Sequence, residues 1–254
     1  MLFRDPRDYQ IATLSSLLAY GLLYLDFEVS PAQAALTIGA AIGTQWICTR
    51  VWRLPRFDPQ SAMISALSLC LLLRTSHLAF AAVAAAIAIS SKFAVRVRGK
   101  HIFNPTNLAI VVLLAISGDV WVSPGQWGSA LFFGGLMACV GGLVVNRAAR
   151  SDVTIAFAAC YLALVFGRSL WLGEPMAIPV HRLQSGALLL FTFFMISDPR
   201  TTPDSRTGRI VFAALVAMGA WYIQFRLFRT NGLMWSLAAV SMLTPILDLL
   251  WPAR

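Results

Sequence analysis

Two polar strings interrupt an otherwise apolar chain, and their residue types suit the binding of a polar ligand. The first string runs from Arg98 to Asn107 and contains Lys100, Asn104 and Pro105. Pro105 removes a backbone donor and keeps Asn104 out of helical geometry, so the backbone is broken where amide groups are available. These groups could hold a planar polar ligand or an ion. The same residues equally suit a plain helix start, with Asn104 as N-cap and Pro105 at the first helical position.

The second string is Ser197-Asp198-Pro199-Arg200-Thr201-Thr202-Pro203. Asp198 and the threonine hydroxyls could close the cytoplasmic side of a site whose other side is Ser185 and Gly186. A loop ion pair between Asp198 and the nearby arginines is the simpler interpretation. The small residues at Ser185-Gly186-Ala187 would also suit close helix packing without any ligand.

Motifs for other chemistries are absent from the sequence. It contains no glycine-rich nucleotide loop, no P-loop, no HExxH and no nucleophile elbow. The four cysteines lie singly in apolar stretches, and neither His77 nor His181 has a partner at metal-ligand spacing. The basic residues lie in short loops without an aromatic platform, so we expect no nucleic-acid partner.

The composition identifies the elements that must position these residues. Of 254 residues, 58% are hydrophobic and only 12% are charged, and the mean hydropathy is +0.72. Soluble domains carry about 25% charged residues. A single soluble domain is therefore excluded, and the chain is expected to be a multi-pass membrane protein whose main partner is the lipid bilayer.

Apolar runs between charged or Pro/Gly-rich breaks predict ten transmembrane helices, two of which are too short to cross a bilayer of about 30 Å. The predicted spans are 11–26, 32–49, 61–73, 78–92, 102–117, 127–146, 153–172, 184–197, 209–225 and 233–250. The short ones are 61–73 and 184–197.

The distribution of basic residues orients these spans. With a cytoplasmic N-terminus, 15 of the 20 Lys and Arg residues fall on the cytoplasmic side and 5 on the other. Because short cytoplasmic loops retain positive charge, this asymmetry explains the net charge of +9 and predicts that both termini are cytoplasmic.

The two short spans also resemble each other. Gln60-Ser61-Ala62-Met63 can be laid over Gln184-Ser185-Gly186-Ala187 at an offset of 124 residues, which also places Asn107 over Asn231. Five spans in each half would make the second copy enter the membrane from the opposite side, as in inverted-repeat transporters. We therefore expect one transmembrane domain, 1–254, with repeats at about 1–124 and 125–254. The candidate binding residues are Ser61, Lys100, Asn104, Pro105, Asn107, Ser185, Gly186, Asp198 and Thr201.

Three motifs taken together resemble the NqrB/RnfD family, the membrane subunits of sodium-pumping quinone reductases and Rnf complexes. They are Asp58-Pro59-Gln60-Ser61-Ala62, Gly99-Lys100-His101-Ile102-Phe103-Asn104-Pro105, and Ser185-Gly186-Ala187 leading to Ser197-Asp198-Pro199-Arg200-Thr201. More closely, the chain looks like short relatives associated with enediyne biosynthesis (UnbU-type proteins), and the similarity runs from about residue 55 to the end. The resemblance implies a ten-helix inverted-repeat fold of the urea-transporter type, flavin binding, and electron transfer in the bacterial inner membrane with partner subunits.

One departure from the family bears on the cofactor. Members with covalent FMN carry a Ser/Thr-Gly-Ala-Thr motif, whereas the nearest match here, Ser185-Gly186-Ala187-Leu188, ends in leucine. We therefore expect a noncovalent flavin, riboflavin or FMN, between the repeats rather than a covalent one. The chain would then be a cofactor-binding subunit of an oxidoreductase complex without catalytic side chains of its own. Two alternatives stay open: a small-molecule or ion transporter or channel using the same midplane site, and a membrane scaffold for a redox or biosynthetic partner.

Overall fold

The computed structural model describes residues 5–25, 28–123 and 151–252. This part of the chain is largely helical, with four strands of two or three residues, which confirms the all-α fold class. Its residues form two compact units. The first contains the described residues up to 123 except 100–104, and the second contains 100–104 together with 151–252.

The described residues of the first unit form five helices, α1 (Pro6–Tyr24), α2 (Pro31–Val51), α3 (Pro59–Leu72), α4 (Leu78–Ala94) and α5 (Pro105–Ile116). The four strands are β1 (Leu73–Thr75), β2 (Arg96–Val97), β3 (Lys100–His101) and β4 (Val120–Val122), of which β3 belongs to the second unit.

The starts of α1, α2 and α3 follow one local rule. Each begins with a proline, whose missing N–H would have no partner in the first turn and whose φ suits a helix. The preceding residues, Asp5, Ser30 and Asp58, accept a hydrogen bond from a backbone N–H two or three positions further on. This side-chain capping fixes where the helices begin.

Small residues let the helices of the first unit approach closely. Helix α2 packs against α3 and α4, α4 packs against α5, and α1 packs against α3. Ala81, Ala84, Ala85 and Ala88 on α4 are fully buried, which suits packing of apolar helices in a membrane. Strands β1 and β4 pair antiparallel, with Leu73 opposite Val122.

The second unit has six helices between residues 151 and 252, α6 (Ser151–Leu172), α7 (Ala177–Leu183), α8 (Gly186–Leu190), α9 (Arg206–Phe225), α10 (Gly232–Ser241) and α11 (Thr244–Leu250). Helix α8 continues directly into a π-helical turn, Phe191–Met195. Helix α9 is central, because it packs against α6, α10 and α11.

The seam between α9 and α10 depends on two glycines. A Cβ on Gly232 would lie 2.7 Å from the carbonyl oxygen of Ala220, and one on Gly219 would collide with the hydroxyl of Ser236. That hydroxyl donates a hydrogen bond of 2.7 Å to the carbonyl oxygen of Val216. The backbones of the two helices can therefore approach this closely only without these side chains.

Two polar contacts connect α6 to α9. The guanidinium of Arg209 lies 2.6 Å from the carboxylate of Asp152, and both side chains are largely buried. The hydroxyl of Tyr161 donates to the side-chain oxygen of Gln224 at 3.0 Å. Since the two contacts are separated along α9 by about four turns, they fix the register of the helix pair.

Nine of the ten predicted spans coincide with helices, and the span at 127–146 lies outside the described residues. In the described part, α6 and α9 are long and apolar enough to cross a membrane, and counting the bent pair α10 and α11 as one span makes three. Helices α3, α4, α5 and the segment from Gly186 to Met195 are apolar but shorter. The structure thus has the apolar helices of a membrane protein, while ten crossings stay a prediction.

Several elements differ from the sequence prediction, and the largest shift of a helix start is at α1, which begins at Pro6 rather than at residue 11. Span 102–117 begins only at Pro105, and the short helix α7 is an additional element between two predicted spans. The continuous helix expected at 233–250 is wrong, because α10 and α11 meet at a bend of 52°. Pro245 lies in the first turn of α11 and cannot donate a backbone hydrogen bond to α10, which explains the break.

Candidate functional site

Lys100 connects three segments of the second unit. Its ammonium nitrogen Nζ lies 2.8 Å from Oδ1 of Asp204 and 3.1 Å from Oδ2 of Asp248. The other carboxylate oxygen of Asp248 accepts the backbone N–H of Asp204 at 2.8 Å. The charge of Lys100, a candidate ligand-binding residue, is thus neutralised within the protein.

Asn104 joins the first polar string to the second. Its side-chain nitrogen donates to the carbonyl oxygen of Met195 and to Oδ2 of Asp198, each at 3.4 Å. Hydrogen bonds of this kind are usually about 2.9 to 3.0 Å long, so both are weak. The structure therefore brings together the two polar strings of the sequence, through contacts that are easily exchanged.

Asp198 organises the loop that follows the π-helical turn. Its Oδ1 accepts the backbone N–H of Arg200 at 3.0 Å, and the hydroxyls of Thr201 and Thr202 donate to its carbonyl oxygen at 3.3 and 3.2 Å. Arg209, one of the arginines that a loop ion pair would use, is held by Asp152 instead. The carboxylate of Asp198 thus lies in a compact turn beside the amide of Asn104.

Ser185 and Gly186 lie at the other end of the short helical segment. Ser185 immediately precedes α8, and Gly186 is its buried first residue. The helical segment from Gly186 to Met195 has ten residues, a rise of about 15 Å along a helix, and it lies between Ser185 and Asp198. A π-helical turn within such a segment is a feature found frequently at functional sites.

The remaining candidates lie in the first unit. Ser61 accepts two hydrogen bonds from the buried ammonium of Lys92, at 2.7 Å to its carbonyl oxygen and 3.0 Å to its hydroxyl. Asn107 is fully buried in the first turn of α5, and Pro105 is the first residue of that helix, as the alternative of a plain helix start has it. The second unit holds Lys100, Asn104, Asp198, Thr201, Ser185 and Gly186.

Three charged residues that contact these candidate residues are not among the site residues predicted from the sequence. Asp204 and Asp248 bind Lys100, and Lys92 binds Ser61. A signal is available for two of them, because Asp248 is the only ionisable residue in the predicted span 233–250 and Lys92 ends the span 78–92. Ionisable residues inside apolar spans need partners and mark functional or structural sites.

The donor set of the second-unit cluster suits a polar organic group. Amide, carboxylate and hydroxyl groups lie together at Asn104, Asp198 and Thr201. Within residues 5–25, 28–123 and 151–252, no three His, Cys, Asp or Glu side chains come together as metal ligands. The cluster can therefore donate and accept hydrogen bonds with a planar heterocycle.

Comparison with known proteins relates the chain to a family. Residues 119–254 match the model of the NQR2, RnfD, RnfE family. The chain is 30% identical over 138 residues to a subunit of the ion-translocating oxidoreductase complex of Pectobacterium carotovorum, and 30% identical over 143 residues to the protein of the same name from Klebsiella pneumoniae.

These matches cover part of each protein. They include 53% and 54% of this chain, but only 36% and 39% of the two relatives. The family model begins to match at residue 119, later than the motif similarity from about residue 55 suggests. The match includes Ser185, Gly186, Asp198 and Thr201.

Proposed function

Because the chain belongs to the NQR2, RnfD, RnfE family, we propose that it is a membrane subunit of a multi-subunit, ion-translocating oxidoreductase of the bacterial inner membrane. The observation that carries this proposal is the family match over more than half of the chain, which spans α6 to α11. The apolar helices of both units agree with a location in the membrane. The relatives' names supply the activity, and this chain corresponds to little more than a third of each relative.

Affinity purification tests the assembly. An affinity-tagged chain, expressed in its own host and solubilised in a mild detergent, should co-purify with other membrane or redox subunits. The same chain with Asp198→Asn should still co-purify, because that carboxylate lies in an internal turn. A chain that purifies alone from membranes at native expression would contradict membership in a complex.

We propose further that the subunit holds a noncovalent flavin at the cluster around Asn104 and Asp198. The two weak 3.4 Å hydrogen bonds of Asn104 support this, because a ligand with better placed acceptors can replace them. The amide offers a donor and an acceptor, as a pyrimidine-like ring edge requires, and Asp198 offers a carboxylate for a ring N–H. When bound, the flavin supplies electron transfer, and the residues of this chain fix its orientation.

The attachment is noncovalent in this proposal for a chemical reason. At the end of Ser185-Gly186-Ala187-Leu188, the buried Leu188 has no hydroxyl to carry a phosphodiester link. The neighbouring Thr192 is also buried, and its hydroxyl donates to the carbonyl oxygen of Leu188 at 2.7 Å within the helix. Binding through hydrogen bonds alone is the arrangement that these side chains support.

A visible spectrum of the purified chain tests the flavin. Flavin absorbance should accompany the protein and should pass into the supernatant after acid precipitation. Asp198→Asn should lower the flavin content several-fold, whereas Asp119→Asn, in an exposed turn of the first unit, should leave it unchanged. A colourless chain, or equal loss in both variants, would count against this site.

We also propose the ten-helix inverted repeat, because the helix starts support it. Pro59 and Gly186, which begin α3 and α8, lie 127 residues apart, and so do Pro105 and Gly232, which begin α5 and α10. At this spacing Asn104 corresponds to Asn231. The helix starts thus have an offset of 127 residues, three more than the offset of 124 residues found by aligning the sequence with itself. Packing inside each unit agrees, since α2–α4 and α4–α5 in the first correspond to α6–α9 and α9–α10 in the second.

Cysteine labelling tests the inversion. The loop after α3 and the loop after α8 should lie on opposite sides of the membrane, as inverted repeats require. In a cysteine-free chain, Ser76→Cys should react with an impermeant maleimide from outside, and Arg200→Cys should react only after permeabilisation. Both residues are exposed. Labelling of both from one side would refute the inversion and the cytoplasmic termini predicted with it.

A further inference from the structure

Basic residues gather at one place on the side of the protein where the charge count predicts few of them. Of the five Lys and Arg residues assigned to the non-cytoplasmic side, four lie near the ends of α6, α7 and α9, namely Arg168, Arg182, Arg226 and Arg229. Positive charge on that side opposes the usual topology rule. We therefore expect these arginines to have a specific role at this place in the structure.

Two of these residues, Arg168 and Arg226, line a cavity in the second unit. The cavity has a volume of about 590 Å³ and opens between the last turns of α6 and α9. Its walls are mainly apolar and aromatic, with Trp171, Leu172, Trp221, Phe225 and Phe228 among them. Such a volume lies within the usual range for small-molecule sites, about 300 to 1,000 Å³.

Arg168 and Arg226 are the charged residues of the cavity wall, and they differ in their partners. Arg168 lies 2.6 Å from Glu174, and its guanidinium stands 4.4 Å from the ring centroid of Phe225. Arg226 is exposed and makes no ion pair within the described part of the chain. Arg182 stands 4.9 Å from the same phenyl ring. The carboxylate of Glu174 offsets only one of these three guanidinium groups, so the region has an excess of positive charge.

An unsatisfied donor lies in the same wall. The indole nitrogen Nε1 of Trp221 is buried and has no acceptor among the described residues. A buried N–H without a partner costs free energy, and such groups in native proteins usually bind something. The cation of Arg226 requires an acceptor that carries negative charge, and a rotation of the Trp221 indole in the same wall would bring its N–H to that acceptor.

We propose that this cavity binds an acidic phospholipid, with the phosphate at Arg226, Arg168 and Trp221 and an acyl chain along the aromatic wall. The chemistry beside the cavity favours a lipid over a soluble anion. Trp171 and Phe228 are 89% and 84% exposed, and Leu172 is 54% exposed, so the wall continues into an apolar surface. A phosphate with a hydrocarbon chain satisfies the donors and covers this surface, while a free anion would satisfy only the donors.

Native mass spectrometry of the detergent-purified full chain tests the proposal. Phosphatidylglycerol, which is anionic, and phosphatidylethanolamine, which is zwitterionic, are added at equal concentration, and the lipid-bound fractions are compared. Phosphatidylglycerol should bind about tenfold more tightly, because the ammonium group of phosphatidylethanolamine offsets the charge that its phosphate presents to the two arginines. Arg226→Gln should remove most of this preference, whereas Trp221→Phe should weaken the binding of both lipids, since both have the phosphate that accepts from the indole N–H. Arg229→Gln is the matched control, because it removes a nearby charge that does not line the cavity.

The outcomes separate the site from its alternatives. A preference lost in Arg226→Gln but kept in Arg229→Gln, with the binding of both lipids weakened in Trp221→Phe, supports the proposal. Equal loss of the preference in Arg226→Gln and Arg229→Gln would mean general attraction of anionic lipid to a basic surface, and no preference in the parent chain would mean no headgroup site. Either result overturns the proposal. Displacement of the lipid by millimolar inorganic phosphate alone would identify a soluble anion as the occupant. Displacement by a short-chain quinone would identify a quinone. Either result overturns the proposal of a lipid. None of these results depends on the proposed flavin, whose cluster is formed by other residues.

Discussion

Replacing Lys100 by methionine should destabilise the second unit. The substitution removes ion pairs with two carboxylates, and we expect one of the two pairs to account for most of the lost stability. Lys100 lies 2.8 Å from Asp204 and 3.1 Å from Asp248. At these distances the Coulomb energies differ by only about a tenth, being about 5 to 6 kcal/mol at an effective dielectric of about 20. Distance therefore does not decide which partner matters more.

Solvent exposure decides it. The side chain of Asp204 is 57% exposed, whereas that of Asp248 is 19% exposed. In bulk water the same interaction falls to about 1.4 kcal/mol before the entropy of holding the side chains is subtracted, and exposed pairs contribute about 0 to 1 kcal/mol. We therefore expect a coupling of about 0.5 kcal/mol between Lys100 and Asp204 and about 1.5 kcal/mol between Lys100 and Asp248.

Thermal unfolding in detergent, followed by tryptophan fluorescence, measures the difference. At about 2 to 4 °C per kcal/mol for a chain of this size, Lys100→Met should lower the Tm by about 4 to 8 °C, Asp248→Asn by about 3 to 6 °C and Asp204→Asn by about 1 to 2 °C. Asparagine keeps the side-chain oxygen that accepts the N–H of Asp204, so Asp248→Asn removes mainly the charge. The Lys100→Met and Asp248→Asn double variant should be less destabilised than the sum of the two. A larger effect for Asp204→Asn, or additivity in the double variant, would refute the reasoning from exposure.

Two further predictions concern packing and pH. Gly232→Ala should lower the Tm by about 2 to 12 °C, because overpacking costs about 1 to 3 kcal/mol and the new Cβ would lie 2.7 Å from the carbonyl oxygen of Ala220. Gly43→Ala on α2 is the control, because a Cβ there meets nothing within 4 Å, and it should raise the Tm slightly. Equal changes in Tm for Gly232→Ala and Gly43→Ala would contradict the close approach of α9 and α10. Hydrogen bonds from Arg168 and Ser169 lower the pKa of Glu174 below its usual value. The ionised carboxylate therefore stabilises the fold at pH values above the pKa that Glu174 has in the unfolded chain. This stabilisation is lost as the pH falls through the lower pKa that Glu174 has in the folded chain. Tm measured from about pH 7 down to about pH 3.5 should therefore fall more steeply in the parent chain than in Glu174→Gln, and parallel curves would be inconsistent with this.

The positions of the helices can be predicted from the sequence because they depend on local signals. Apolar runs of the right length and prolines after capping residues mark the starts of α1, α2 and α3. The break at Asn104 and Pro105 follows from the same chemistry. The bend before α11 also has a local signal in Pro245, which the prediction of a continuous span at 233–250 leaves out.

The contacts of the candidate site can be predicted only in part. The two polar strings identify Asn104 and Asp198 as candidates, but the partners of both residues depend on packing between segments far apart in sequence. Lys100 and Asp248 are 148 residues apart, and no periodicity connects them. The π-helical turn at Phe191–Met195 has no signal in its apolar residues, because it reflects how the segment fits its surroundings.

The partners of the charged side chains indicate what this chain could contribute to the proposed redox complex. Lys100 is held by two carboxylates, Arg209 by Asp152, and Lys92 by the oxygens of Ser61. Removing one member of such a contact would leave its partner unsatisfied in a poorly hydrated environment. These side chains therefore hold segments together that are distant in sequence. In the proposed complex, the chemistry would come from a group bound at the polar cluster or from other subunits, and this chain would position such a group within the membrane.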